Sequence, residues 1–291
     1  MIKNTIVITG GAGFVGSNLI PLFIKKTKLN IISIDNYTSG NKKNHILNKR
    51  IRYINADTKD IFEVLKNPKN INCIFHFGEF ARIYQSFNNL NDCIQSNTIG
   101  TNSVFNYCLK NKIKLIYSAT SATLGNNGSD KNLSPYAFTK AKNLELLENF
   151  KKWFKFKFDV IYFYNVYGPN QISKGKMATV IGIFIEAYKK RKVLPVVRPG
   201  NQSRRFTHIF DTVDICYLAW KLNKSRHYSI SNHKSYSIVQ VANMFKSKIK
   251  YMPKRAGERY TSAITNSNLK NKVHKYFGKI NLKKYIDNII K

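Results

Sequence analysis

Tyr136 and Lys140 stand four residues apart at the start of a helical pattern, Tyr136 to Phe154, which puts both side chains on one face about one turn apart. A phenol ordinarily titrates near pH ~10, so a tyrosine that is to take a proton from a hydroxyl near neutrality needs a cation beside it. An ammonium one turn away is such a cation. Taken alone, the pair arises often by chance as a core tyrosine and a surface lysine. It gains weight from Thr9-Gly10-Gly11-Ala12-Gly13-Phe14-Val15-Gly16, where a Gly-x-x-Gly-x-x-Gly pattern directly follows the apolar run Thr5 to Ile8. Gly10 permits a tight turn, Gly13 lets the backbone approach phosphates, and Gly16 lets a helix starting near Ser17 pack on the strand. Such a turn, with Phe14 and Val15 in it, binds a dinucleotide pyrophosphate on free helix N–H groups. Asp35 closes Ile31-Ile32-Ser33-Ile34-Asp35, roughly 20 positions on, where a carboxylate accepts hydrogen bonds from the adenosine ribose and repels a 2′-phosphate. That selects NAD over NADP. The plainer reading of Asp35 is a strand-end turn residue, helped by Asn36.

These groups need strands to carry them. Short apolar runs at Thr5 to Thr9, Asn30 to Asp35, Arg52 to Asn55, Cys73 to Phe77, Leu115 to Ser118 and Val160 to Phe163 alternate with longer helical patterns. Alternation of this kind implies right-handed crossovers and an α/β fold, a Rossmann doubly wound parallel sheet. The pattern loosens after Tyr167-Gly168-Pro169, so a smaller C-terminal substrate-binding domain is expected over 166–205 and 233–291. The nucleotide-binding domain is then 1–165, with 206–232 returning to it.

With 291 residues, 43% of them hydrophobic, the chain can bury a sizeable core, and 19 Phe with 17 Tyr argue against disorder. The net charge of +34 would ordinarily suggest nucleic acid or an anionic membrane surface. However, the lysines are scattered, the longest basic run is Lys189-Lys190-Arg191-Lys192, and no nucleic-acid module pattern appears, so no specific nucleic acid is expected. Cys73, Cys93, Cys108 and Cys216 lack C-x-x-C spacing and lie in apolar segments, which fits buried thiols in a reducing cytoplasm better than disulfides or zinc. The histidines form no ligand cluster, so no metal is expected. Glycines and Pro21 interrupt the first apolar stretch, which is neither a signal peptide nor a membrane span.

Gly10, Gly13 and Gly16, Asp35, Asp57 in Ala56-Asp57-Thr58-Lys59-Asp60, Thr120 in Ser118-Ala119-Thr120-Ser121, and Tyr136-Ala137-Phe138-Thr139-Lys140 together resemble the extended short-chain dehydrogenase/reductase family. Within it, the chain resembles NAD-dependent nucleotide-sugar epimerases and dehydratases. The likeness runs nearly end to end, through Asn165-Val166-Tyr167-Gly168-Pro169, Arg204-Arg205-Phe206-Thr207 and Arg255-Ala256-Gly257-Glu258. The resemblance implies Tyr136 as acid/base, Lys140 as the residue that orients the nicotinamide ribose and acidifies the phenol, and Thr120 as the hydroxyl on the reacting sugar oxygen. It puts Asp57 and Thr58 beside the adenine, Asn36 with Asp35, Asn97 near the cofactor, and Asn165, Arg204 and Arg255 on the substrate side. Two arginines suit a diphosphate, because guanidinium matches phosphate oxygens bidentately. It also implies a homodimer formed by two helices per subunit, about Asn88 to Lys110 and Tyr136 to Phe154.

The family's branches divide at the residues after Thr120. Sugar 4,6-dehydratases carry Asp-Glu there, whereas this chain has Ser121-Ala122, neither of which is a general acid near neutral pH. What remains is the minimal set for a 4-epimerase; a nucleotide-sugar 4-dehydrogenase or 4-keto reductase is the second reading, and a non-catalytic NAD- or nucleic-acid-binding protein the third. Departures from the family pattern accompany this. Glu79 in His76-Phe77-Gly78-Glu79 stands where the family has a small residue; it either is a structural ion-pair partner, of Arg82 for instance, or reads an unusual sugar. Leu124 replaces a customary Tyr, Arg205 an Asp and Tyr162 an Arg, and the short loop between Gly125 and Ser134 would open the substrate pocket.

Overall fold

The computed structural model describes residues 4–124, 130–257 and 273–291. Its first strand β1 (Thr5–Thr9) is buried at every position, as an apolar run must be if helices cover both faces of a parallel sheet. Around it lie β2 (Asn30–Asp35), β3 (Ile51–Asn55), β4 (Ile71–His76), β5 (Lys114–Thr120) and β6 (Phe158–Phe163). The order β3-β2-β1-β4-β5-β6 continues through strand His227–Ser231 to Val273–Phe277, and all pairings are parallel. Strand order therefore reverses between β1 and β4, the place where an open α/β sheet leaves a crevice at the carboxyl ends of its strands.

Two cores follow from the alternation of side chains along each strand. Val7, Leu115 and Tyr117 face the layer with helices Thr101–Lys110 and Pro135–Phe154, while Ile6, Ile8 and Ile116 face helices Phe14–Lys26 and Ile209–Leu222. A third core, with Tyr167, Phe184, Val196, Phe206, Phe245 and Ile286, holds the C-terminal part together. There Leu194–Val197 pairs with Ile249–Met252, and Ser203–Arg205 with Ser235–Ser237.

The expected boundary differs from the structure at one strand. The sequence pattern puts residues 233–291 in the smaller part, yet Val273–Phe277 lies on the edge of the large sheet, in parallel register with His227–Ser231. The edge of that strand presents unpaired backbone groups, and the returning chain satisfies them. The helix expected over Asn88 to Lys110 is present as Leu90–Ile94 and Thr101–Lys110, joined by a π turn at Gln95–Gly100. The turn coincides with two tertiary demands. Asn97 turns inward, where it accepts from Phe80 N at 2.6 Å and donates to Thr139 Oγ1 at 3.2 Å, and Gly100 leaves room that a Cβ would take from Thr58 Oγ1.

Candidate active site

The ends of β1 to β5 carry Gly10 to Gly16, Asp35, Asp57, Glu79 and Thr120 to one edge of the sheet in chain order. After β1, Gly10 takes φ +69°, and a Cβ there would lie 2.7 Å from Phe77 C in the loop after β4, so the two loops touch across the reversal point. A Cβ on Gly16 would lie 2.6 Å from Gly11 Cα: the helix Phe14–Lys26 rests directly on the turn. Around Gly13 the nearest atom to a Cβ is Gly10 O at 3.1 Å, so the outer side of this turn is open. Gly13 is the helix N-cap and supplies no side chain, which leaves first-turn N–H groups, those of Phe14, Val15 and Gly16, available to an anion.

Asp35, at the end of β2, accepts from Ala12 N at 2.9 Å and from Tyr37 N at 2.8 Å, locking the glycine turn to β2. Burial raises its carboxyl above the usual range, and the backbone donors work against that. Asn36 donates to Asp57 Oδ2 at 2.9 Å, which ties the end of β2 to the end of β3, and Thr58 is buried beside Gly78. The turn and the carboxylate fit a dinucleotide: open glycine backbone with helix donors for its pyrophosphate, and an acceptor at the end of β2 for its ribose.

The long helix Pro135–Phe154 starts with Ser134 capping Ala137 N and Pro135 in the first turn, both favourable at a helix start. That start is fastened to the wall beside it, where Tyr136 N donates to Ser86 Oγ at 3.2 Å. One turn on, Lys140 is nearly fully buried, and its Nζ donates to Glu79 Oε2 and to Ser118 O while lying 4.3 Å from the Tyr117 ring centroid. Burial pulls the ammonium below its ordinary pKa and the Glu79 carboxylate pushes it back up. Thr120 ends β5; its Oγ1 accepts from Ala122 N at 3.2 Å, which leaves the hydroxyl proton for another oxygen.

Glu79 is ion-paired, but its partner is Lys140; Arg82 instead donates from Nε to Met177 O at 2.8 Å and has its guanidinium close enough to Tyr136 to interact electrostatically. Arg82 thus joins the loop after β4 to the excursion after Pro169. Asn97 is fully buried, with its amide on Phe80 and Thr139, so it shapes the loop that carries Glu79. Asn165 donates to Arg205 O at 3.2 Å. Arg204 and Arg255 come from separate segments: Arg204 is buried on strand Ser203–Arg205, and Arg255 lies in the loop after Ile249–Met252 with its guanidinium 5.2 Å from the Tyr84 ring centroid. Residues 125–129 of the expected pocket loop, and Glu258, lie outside the described residues.

The departures from the family pattern have structural places. Tyr162 is core, with its hydroxyl 3.3 Å from His227 Nδ1; Leu124 is buried; and Arg205 donates to the carbonyls of Asn232 and His233. Residues not singled out in the sequence complete the site. His76 is fully buried between Thr9 Oγ1 (2.7 Å) and Thr101 Oγ1 (2.9 Å), and burial lowers its pKa to about 4, so the ring is neutral. Tyr117 and Asn143 both donate to Glu79. Asn143 lies three residues beyond Lys140 on the same helix face, and that spacing was a readable signal. The four cysteines are buried free thiols, and among the described residues no group of His, Cys, Asp and Glu could hold a metal ion and no helix is long and apolar enough to cross a membrane.

The chain is similar to known proteins in sequence and in fold. The profile of the NAD dependent epimerase/dehydratase family matches residues 6–231. An uncharacterized UDP-glucose epimerase of Bacillus subtilis is 30% identical over 72% of this chain and 70% of its own. An ADP-L-glycero-D-manno-heptose-6-epimerase of Fusobacterium nucleatum is 28% identical over 81% of this chain and 77% of its own. The crystal structure of a Thermotoga maritima UDP-glucose 4-epimerase with UDP-glucose superposes with a TM-score of 0.84 at 23% identity, covering 98% of this chain and 97% of that one.

Proposed function

Because the chain belongs to the NAD-dependent epimerase/dehydratase family, with NAD as its cofactor, we propose that it is a nucleotide-sugar 4-epimerase. The observation that carries this reading is the wall beside Tyr136 and Thr120. Dehydration would need an acid and a base next to Thr120; Ser121 and Ala122 occupy that buried turn instead, and the Glu79 carboxylate is committed to Lys140. The residues left are those that move one proton at one sugar oxygen.

Gly10, Gly13, Phe14, Val15, Gly16 and Asp35, with Asn36, Asp57 and Thr58, would hold NAD, which when bound would supply a reversible hydride acceptor for sugar carbon 4. Tyr136 takes the proton of the 4-hydroxyl and later returns it to the oxygen of the 4-keto sugar, which has turned in the pocket. Lys140 holds positive charge near the phenolate and reaches the nicotinamide ribose. Thr120 donates to the same sugar oxygen and fixes its position. Arg204 and Arg255 hold the diphosphate, with Asn165 and Arg82 on the sugar side. The electropositive surface that follows from +34 draws the anionic substrate inward. The active form is a homodimer, since Leu90, Ile99 and Phe138 are exposed apolar side chains on the two helical segments concerned. A reducing cytoplasm suits the four free thiols.

The test is to incubate the protein with UDP-glucose, UDP-N-acetylglucosamine, GDP-mannose and dTDP-glucose and to follow the sugar protons by NMR. A 4-epimer formed without net reduction of NAD supports the reading. A 4-keto product with stoichiometric reduction of NAD replaces it with a dehydrogenase.

A further inference from the structure

Glu79 is surrounded by donors. Its Oε1 accepts from Tyr117 Oη at 3.0 Å, Thr101 Oγ1 at 3.1 Å and Asn143 Nδ2 at 3.4 Å, and its Oε2 from Ser118 Oγ at 3.4 Å and from Lys140 Nζ. The side chains of Glu79 and Lys140 are 3% and 4% exposed. A carboxylate so enclosed reads no sugar; its capacity is spent on side chains from three elements of the scaffold and on one ammonium. The His76 network supports the same arrangement. If Thr101 Oγ1 gives its proton to Glu79, then His76 Nε2 carries a proton and gives it to Thr101, and Nδ1 accepts from Thr9. Each hydrogen bond in that chain has one donor, and the chain ends on a carboxylate.

Lys140 has three N–H donors, of which Glu79 and Ser118 O take two, leaving one for a ribose hydroxyl. An ammonium this buried gives up its proton readily when it has no counter-charge. The other titratable groups facing the pair are His76 and Tyr117 from the sheet, Cys93 from helix Leu90–Ile94, and Tyr136, with Arg82 alongside the phenol. Burial keeps His76, Cys93 and Tyr117 uncharged, so Glu79 is the balancing charge among the described residues.

We infer that Glu79 is the positioning residue of the Tyr136–Lys140 pair: its carboxylate holds Lys140 as a fixed ammonium in a site too dry to keep one unpaired. This rests on the reading of Lys140 as the cation that serves Tyr136. Glu79 touches neither sugar nor cofactor; it acts through Lys140, and it allows a deeply buried lysine to stay charged at the pH where the phenol works.

The experiment follows the lysine directly. NAD-loaded protein labelled with 13C-lysine is titrated by NMR, the Lys140 signal being the one lost in Lys140→Met. Native Lys140 is expected to remain an ammonium throughout the neutral range, and Glu79→Gln to lower its midpoint by about two units or more. A midpoint that moves by less than about half a unit, or a native Lys140 already neutral at pH ~7, overturns the inference. In a kcat profile, Glu79→Gln draws down the alkaline limb and Glu79→Asp restores it. Thermal melts give an independent readout: the double variant Glu79→Gln/Lys140→Met, with no charge left to strand, is expected to melt above Glu79→Gln. A double variant no more stable than the single one overturns the inference, including the case in which Glu79→Gln fails to fold. The titration uses no sugar, so it stands or falls separately from the 4-epimerase reading.

Discussion

Alanine at Gly16 and alanine at Gly13 look alike in sequence and should behave differently in the protein. At Gly16 the new methyl carbon would sit 2.6 Å from Gly11 Cα and 3.0 Å from Gly10 C, both backbone atoms. Carbon atoms settle at about 3.5–4.0 Å, so the helix start and the turn must part by about an ångström. Overpacking of that kind costs about 1–3 kcal/mol. At about 2 °C per kcal/mol for a chain of this size, the cofactor-free protein should melt about 2–6 °C lower. NAD affinity should fall at least about tenfold, since the helix N–H groups leave their places. At Gly13 the backbone is extended, φ −76°, ψ −176°, which alanine adopts without strain, and the nearest atom to its methyl group is Gly10 O at 3.1 Å. Gly13→Ala should therefore keep the stability of the cofactor-free protein to within about 1 kcal/mol and still lose NAD, because its methyl stands where the pyrophosphate approaches. Melts of NAD-stripped protein with calorimetric NAD titration separate the two effects. A Gly13→Ala protein that binds NAD like the native one would refute the reasoning, as would a Gly16→Ala protein that melts like it.

Other perturbations follow from the same geometry. His76 is buried with its pKa lowered to about 4 against about 6.5 in an unfolded chain, so the unfolded state binds the extra proton first; stability present above about pH 6.5 should be lost as the pH falls toward about 4, by at most about 3 kcal/mol, and His76→Asn should flatten denaturant-measured stability over that window. Tyr136→Phe should abolish turnover, with a loss of at least about 100-fold, while leaving the melt and NAD binding near native, since the phenol is outside the core clusters. Ile99→Glu, at a side chain 44% exposed on the proposed dimer face, should reduce the mass seen by light scattering toward the 33.6 kDa of one chain without unfolding it; a native protein already at that mass removes the dimer.

Much of this was legible because it is local. Apolar runs bounded by turn residues marked β1 to β6, and Gly10 with its positive φ and Asp35 at the end of β2 are positions where backbone geometry restricts the residue type. Tyr136 and Lys140 were legible as a helical spacing. What was not legible is what the sheet order brings together. Glu79 and Lys140 are 61 residues apart and meet because β4 and β5 are neighbours with the long helix across them, so the sequence pointed to nearby Arg82 instead. The outer strand Val273–Phe277 is paired with His227–Ser231 over a distance that no local pattern spans. The π turn at Gln95–Gly100 likewise accompanies packing of Asn97 and Thr58, which helical periodicity does not encode.

The central claim is that one proton carrier, Tyr136, works beside an acceptor that returns to carbon 4 what it took from it. The most direct measurement uses a nucleotide sugar accepted in the substrate panel, deuterated at carbon 4, in ordinary water. The account predicts a 4-inverted product that keeps its deuterium at carbon 4, and no exchange or product with Tyr136→Phe. Deuterium lost to solvent during inversion, or inversion undiminished without the phenol, would contradict it.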